Sequence, residues 1–249
     1  MATPIDILEE AGVRYLHFGS DWIQGAMRIA RPWALELDYT REMMAALLLR
    51  PQPDWPRRVL LIGLGAASLT KFLYRHRPQA QLTVVEIEPA VVAAAYRFFK
   101  LPDDPQRIRI VVADGVAWLA ASAARFDLIL VDGFDAEARP GALDTPPFYR
   151  ACRAHLDEGG LLSVNLLGGR RGFKASVGRI RRAFDDRALA FPSCDHGNAI
   201  VFAATGEMLH LPLGELGLQA VALRRATGLN LLPTVARLAQ CCPNGALSL

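Results

Sequence analysis

Apolar and polar positions along this chain follow two periods that alternate. Val59-Leu60-Leu61-Ile62 is an uncharged run, as a strand buried on both faces requires. After the turn Gly63-Leu64-Gly65-Ala66-Ala67-Ser68, residues Leu69, Phe72, Leu73 and His76 fall at helical spacing. A second β-branched run, Leu82 to Val85, ends at Glu86. Pro89 suits the first turn of a helix whose Val91, Val92, Ala95 and Phe98 face a sheet. The alternation continues with a strand over 107–112, a helix over 116–124 and a strand over 126–131 ending at Asp132. A loop over 133–146 precedes a helix over 147–156, which Gly159-Gly160 closes, and a fifth strand covers 161–165. Phe173, Val177, Ile180 and Phe184 form a helical stripe, and residues 189–194 and 199–203 read as a hairpin turning at Gly197. Residues 205–249 add one helix, over 216–227 or 232–241.

The first 54 residues read differently. Residues 15–18, 23–29 and 34–37 are short extended segments, and Leu35, Leu37 and Tyr39 alternate with acids. A helix capped by Thr40 follows, with Met43, Met44, Leu47 and Leu48 as core filler, and then a proline-rich linker over 51–56. The predicted organisation is a short N-terminal β segment with a helix (1–54) and a nucleoside-binding α/β domain (55–249). That domain is a doubly wound sheet, mainly parallel, with an antiparallel C-terminal hairpin.

Composition narrows the classes. In 249 residues, 52% are hydrophobic, enough for a sizeable core, and the net charge of +3 is too small to indicate a nucleic-acid or membrane partner. Arg170, Arg171, Lys174, Arg179, Arg181 and Arg182 read as a solvated helix face. The four cysteines (Cys152, Cys194, Cys241, Cys242) and the scattered His17, His76, His155 and His196 have no metal-ligand spacing, so no metal is expected. No basic start followed by an apolar run opens the chain, and a soluble cytoplasmic protein is expected.

The chemistry is predicted at the carboxyl ends of the strands. Strand, glycine turn, helix, strand and carboxylate is the order that holds a nucleoside. Gly63 and Gly65 let the backbone approach the ligand, and Glu86 suits the ribose hydroxyls. Asp114, followed by Gly115, suits the exocyclic amine of an adenine, and Asp132 and Asp135 suit an amine and its proton. A lone Asp after a strand is as readily a helix N-cap. Acids at successive strand ends, with no Lys or Arg there, point to a cationic substrate.

These motifs resemble the spermidine synthase (polyamine aminopropyltransferase) family over roughly residues 14–204. They are Val59 to Gly65, Val84 to Glu88, Val112 to Gly115, Val131 to Asp135, Pro147-Phe148-Tyr149, and the run from Leu16 through Gln24 to Tyr39. The resemblance implies a methyltransferase-type Rossmann domain behind a small N-terminal β-domain. It implies transfer of an aminopropyl group from decarboxylated S-adenosylmethionine to a diamine, with no permanently bound cofactor, in a homodimer. It makes Asp132 the base, Asp135 the second acid of that loop, Glu86 and Asp114 the ribose and adenine ligands, Gln24 a nucleoside contact and Tyr39 a wall of the amine pocket. The family's turn usually reads G-G-G-D-G, and here Leu64 and Ala66 replace a glycine and the acid that holds the donor's ammonium. Phe134 likewise stands where a small polar residue is usual. Two alternatives therefore stand beside transfer: N-methylation from intact S-adenosylmethionine, and nucleoside binding without turnover.

Overall fold

The structure, a computed structural model, describes residues 4–169, 172–192, 197–242 and 244–249, without the side chain of Cys241. Residues Met1 to Thr3, Arg170, Arg171, Cys194 and His196 lie outside the described residues.

The chain opens with an antiparallel meander, β1 (Asp6–Glu10), β2 (Val13–His17) and β3 (Ile23–Arg28). The first strand, acidic and largely exposed, carries no hydrophobic alternation to announce it. The extended segment predicted over 34–37 is not a strand. Its carbonyls go to a guanidinium: Arg41 Nε donates to Leu35 O (2.8 Å) and Nη2 to Glu36 O (2.5 Å), while Glu36 pairs with Arg28. Two short helices follow, α1 (Asp38–Met43) and α2 (Ala46–Leu49). Thr40 lies inside α1 and caps nothing; its hydroxyl donates to Leu37 O at 2.6 Å. Met43, Met44, Leu47 and Leu48 are buried as expected.

The regular part runs β4 (Arg58–Ile62), α3 (Ser68–His76), β5 (Gln81–Glu86), α4 (Pro89–Phe98), β6 (Ile108–Val112), α5 (Gly115–Ala121) and β7 (Phe126–Val131). It continues with α6 (Pro146–Ala154), β8 (Leu156–Leu167), α7 (Phe173–Ala183), β9 (Ala188–Ala190) and β10 (Asn198–Ala204). Strand order is β6-β5-β4-β7-β8-β10-β9, parallel from β6 to β8, with β10 antiparallel to both its neighbours. Gly159-Gly160 does not end a unit: β8 starts at Leu156 and runs through the pair, with a register shift against β7 that absorbs them. Strand order reverses between β4 and β7, so a crevice opens above their carboxyl ends.

Both helices foreseen as alternatives near the C-terminus form. The last segment is β11 (His210–Pro212), α8 (Leu213–Thr227), α9 (Leu232–Cys241) and β12 (Ala246–Ser248), with β11 and β12 paired. Alternate residues of each strand serve opposite cores, which is why the strands read as continuous apolar runs. Val59 and Leu61 face a core shared with residues from α1–α4, α8 and α9, while Leu60 and Ile62 face α5–α7. Among the described residues no helix is long and apolar enough to cross a membrane.

Candidate active site

Above the switch point lies a cavity of about 310 Å3, within the range of small-molecule sites. Gly63, Gly65, Glu86, Asp114, Gly115, Asp132, Asp135 and Gln24 all line it. Only Tyr39 of the predicted site residues lies outside, on an adjoining pocket of about 10 Å3 with Ala66, Thr70 and Asp132. That is room for roughly one water. Asp132 and Gln24 line both spaces.

The glycine turn can stand beside Asp132 because residue 63 has no side chain. Its φ is +95°, and a Cβ there would lie 2.2 Å from the Asp132 carbonyl oxygen. Gly25 of β3 is equally constrained: a Cβ would meet the nitrogen and Cβ of Ala66 at 2.7 Å. Ser68 Oγ donates to Ala26 O (3.1 Å), fastening β3 to the start of α3 and bringing Gln24 over the turn. No side chain caps α3, which leaves its first-turn N–H groups to solvent or ligand.

Each acid has its own surroundings. Glu86 is 7% exposed; its Oε2 accepts from the Leu64 N–H (2.9 Å) and Oε1 from the Glu88 N–H (3.0 Å). Burial raises its pKa, and those backbone N–H groups oppose the rise. Asp114 caps α5 through Oδ1, which accepts from the Ala117 N–H at 2.8 Å, so N-cap and cavity roles coincide in one exposed residue.

Asp132 follows β7 and meets amides and a phenol. Val131 pairs with Val164, so Asn165 stands beside Asp132, and Asn165 Nδ2 donates to Asp132 Oδ1 at 2.9 Å. The Tyr39 hydroxyl donates to the same carboxylate. Burial pushes the Asp132 pKa up, while Asn165 and Tyr39 hold it down in part. Among the described residues no Lys, Arg or His forms an ion pair with Asp132, Glu86 or Asp114.

Asp135 is different. Its Oδ1 accepts from the N–H groups of Glu137 (3.0 Å) and Arg139 (2.8 Å), and its Oδ2 from Arg139 Nε (2.9 Å). Burial is the largest single influence on Asp135 and pushes its pKa up, but the Arg139 N–H and guanidinium and the Glu137 N–H together outweigh it and hold the carboxyl below the usual range. Its carboxylate organises the loop, and its carbonyl accepts from Gln24 Nε2 at 3.4 Å.

Sequence reasoning missed Asn165, Asn198 and Arg139. Asn165 carried a readable signal, an amide set within the apolar run Leu161 to Leu167. Asn198, whose Nδ2 donates to Asn165 Oδ1 at 2.8 Å, depends on β10 lying beside β8, which no local pattern announces. In the basic cluster, Arg179 pairs with Asp144 (2.6 Å) and Arg181 with Asp186 (3.0 Å). Among the described residues no group of three or more His, Cys, Asp or Glu is arranged to hold a metal ion.

Comparison with known proteins gives one consistent picture. The spermine/spermidine synthase domain profile matches residues 37–165. A polyamine aminopropyltransferase of Neisseria meningitidis is 34% identical over 240 residues, 96% of this chain and 90% of that protein. One from Chromobacterium violaceum is 36% identical over 199 residues, 80% of this chain and 75% of that protein. Among solved structures, a probable spermidine synthase from Corynebacterium glutamicum superposes with a TM-score of 0.73 at 20% identity over 91% of each chain. Human methyltransferase-like protein 13, in complex with SAH, superposes with a TM-score of 0.70 at 24% identity, covering 77% of this chain and 93% of that one. At these identities the structural likeness shows the fold, a methyltransferase-type Rossmann sheet.

Proposed function

The chain belongs to the spermidine synthase (polyamine aminopropyltransferase) family of transferases, and we propose that it moves an aminopropyl group from decarboxylated S-adenosylmethionine to a diamine, with Asp132 as general base. The observation that carries this reading is Asp132 itself. It is a carboxylate without a cationic partner among the described residues, standing where a nucleoside-sized cavity meets a small pocket under Tyr39.

In this reading the nucleoside lies over Gly63 and Gly65 with its ribose on Glu86. Gly115 and the Oδ2 of Asp114, which takes no hydrogen bond among the described residues, face its base, and Gln24 covers it from β3. The acceptor amine sits between Asp132 and Tyr39. Its nitrogen lone pair attacks the aminopropyl carbon bound to the sulfonium sulfur. The carbon–nitrogen bond forms as the carbon–sulfur bond breaks, the bonding pair returns to sulfur, and neutral methylthioadenosine leaves. The proton shed by nitrogen passes to Asp132. Asp135, its charge shared with Arg139, helps hold the amine by fixing the loop that walls its site. No resident cofactor is required. The reading includes residues 1–54 as a β segment with helix that closes the 55–249 domain, and a cytoplasmic homodimer; a monomer mass in light scattering removes the dimer.

Ala66 favours a second reading. It is 3% exposed against Gly25 and leaves the donor's tail without an acid at that position. Intact S-adenosylmethionine, whose carboxylate such an acid would repel, then becomes an admissible methyl donor. Incubation with each donor and a series of linear diamines separates the readings by mass. A mass increase of one aminopropyl group with methylthioadenosine release is expected, and methylated product from the intact donor alone overturns the proposal. Ala66→Asp sharpens the choice: turnover with the decarboxylated donor rises under the first reading, and affinity for the intact donor falls under the second.

A further inference from the structure

We infer that Asn165 and Asn198 are positioning residues, a two-amide relay that aims Asp132 at the acceptor and stabilises its charged form; the inference rests on the proposed role of Asp132. The geometry is a chain across three strands. Asn198 Nδ2 on β10 donates to Asn165 Oδ1 on β8 (2.8 Å), and Asn165 Nδ2 donates to Asp132 Oδ1 after β7 (2.9 Å).

The second amide matters because of what an amide is. One end of Asn165 only accepts and the other only donates, and the two ends are nearly alike in shape. Alone, Asn165 could turn and present its oxygen to the carboxylate. Asn198 occupies that oxygen with an N–H, which fixes the donating end toward Asp132. Asn165 is 4% exposed, so water is largely excluded from replacing either bond. Gly168 N–H donates to Gly197 O at 2.6 Å, and Ile200 pairs with Asn165, which locks the β8–β10 register that puts the amides within reach.

Among the described residues, the groups facing Asp132 from each packed element are few. Tyr39 comes from α1, and Asn165 from β8. Gly63 at the end of β4 contributes backbone alone. Asp135 and Arg139 of the same loop, and Glu86 at the end of β5, line the cavity with it. An uncharged donor is then the means of favouring the carboxylate without cancelling the negative charge that attracts a cationic amine. An arginine in place of Asn165 would neutralise the base; an apolar residue would leave it to protonate.

The test uses Asn198→Asp, nearly isosteric at a half-buried position. A carboxylate only accepts, so Asn165 turns its N–H toward residue 198 and its oxygen toward Asp132. Two readouts separate this inference from the reading beneath it. The first is the pH dependence of kcat, where the acidic limb is expected to move up by about one pH unit with the donor KM changed by less than about twofold. The second needs no turnover: carbon-13 NMR titration of the Asp132 carboxyl, expected to move in the same direction. An unchanged titration in the folded variant overturns the relay. A shifted titration both in Asn198→Asp and in Asn198→Ala, which adds no charge, in a protein that transfers nothing upholds the relay and removes the proposed activity; a shift in Asn198→Asp alone is the added carboxylate acting through space and overturns the relay. Asn165→Ser, which keeps a short donor, is expected to shift the titration less than Asn165→Leu. Equal shifts from the two contradict a hydrogen-bonding role.

Discussion

The two ends of β7 carry aspartates that lead opposite lives. At the amino end, Asp127 Oδ2 accepts from the N–H groups of Arg57 and Arg58, both at 2.7 Å. Nearby Asp157 takes Arg58 Nη2 (2.5 Å) and Arg125 Nε (3.1 Å). These acids close their valences within the chain and join the start of β4 to β7 and β8. At the carboxyl end, Asp132 meets Tyr39 and Asn165, Glu86 meets backbone N–H groups, and Asp114 spends one oxygen on a helix cap. The comparison teaches that a carboxylate after a strand is informative through what remains unneutralised. Structural acids find cations and N–H groups at the closed end of the sheet. At the open end they keep their charge beside a cavity, as recognition of a cationic substrate needs.

Substitutions break this comparison in order of size. Asp132→Asn is expected to lower kcat about 10²- to 10⁴-fold, the range for loss of a general base, while methylthioadenosine binds within about twofold in calorimetry. Turnover near the parent level removes Asp132 from its role. Glu86→Gln is next: donor affinity falls roughly 10- to 100-fold, since a charge-assisted hydrogen bond contributes on the order of 1.5–3 kcal/mol. Gln keeps an oxygen for the Leu64 N–H but sets its amide against the Glu88 N–H, so a stability loss on the order of 1–3 kcal/mol is expected alongside the affinity loss. Asp127→Ala is the mirror image at the closed end. It hands two exposed backbone donors to water and costs about 1 kcal/mol in urea unfolding, with kcat within twofold. A loss of activity without a loss of stability there would erase the contrast between the ends.

The smallest effects are read against pH. Burial raises the pKa of Asp132 above its ordinary 3.8, so the folded state binds this proton more tightly than the unfolded one. Its contribution to stability is full below about pH 3.8 and is lost as pH rises through the higher folded value. Asp132→Asn is therefore expected to be more stable than the parent at neutral pH, with the advantage vanishing toward pH 3.8. Asp135 has the opposite sign. Its pKa is held down by Arg139, so that clamp stabilises above pH 3.8 and is lost as pH falls through the lower folded value. Asp135 and Arg139 are largely exposed, which keeps the effect small. Melting curves across pH 3 to 8 on parent, Asp132→Asn and Asp135→Asn check both signs.

Local pattern made much of this legible. The βα alternation from residue 58 onward, the nine-residue helix after the glycine turn and the cavity residues at successive strand ends all follow from periods of two and 3.6 and from glycine sterics. Three kinds of feature were out of reach. The 34–37 segment alternates like a strand, yet the Arg41 guanidinium claims its carbonyls, a competitor that periodicity does not register. The glycine pair at 159–160 looks like a stop, but a register shift against β7 accommodates it within β8. Asn198 reaches the site only because β10 inserts beside β8, a matter of topology. For Asp135 the sequence shows an acid in the right loop and is silent on Arg139 folding back to occupy it.

The most direct test of the open-end account is calorimetric titration of the protein with decarboxylated S-adenosylmethionine and, separately, with intact S-adenosylmethionine. A mouth in which Asp132, Glu86 and Asp114 carry no neutralising cation among the described residues should bind the decarboxylated donor more tightly, because the intact donor adds a carboxylate to that field. Tighter binding of the intact donor, or no binding of either, would contradict it.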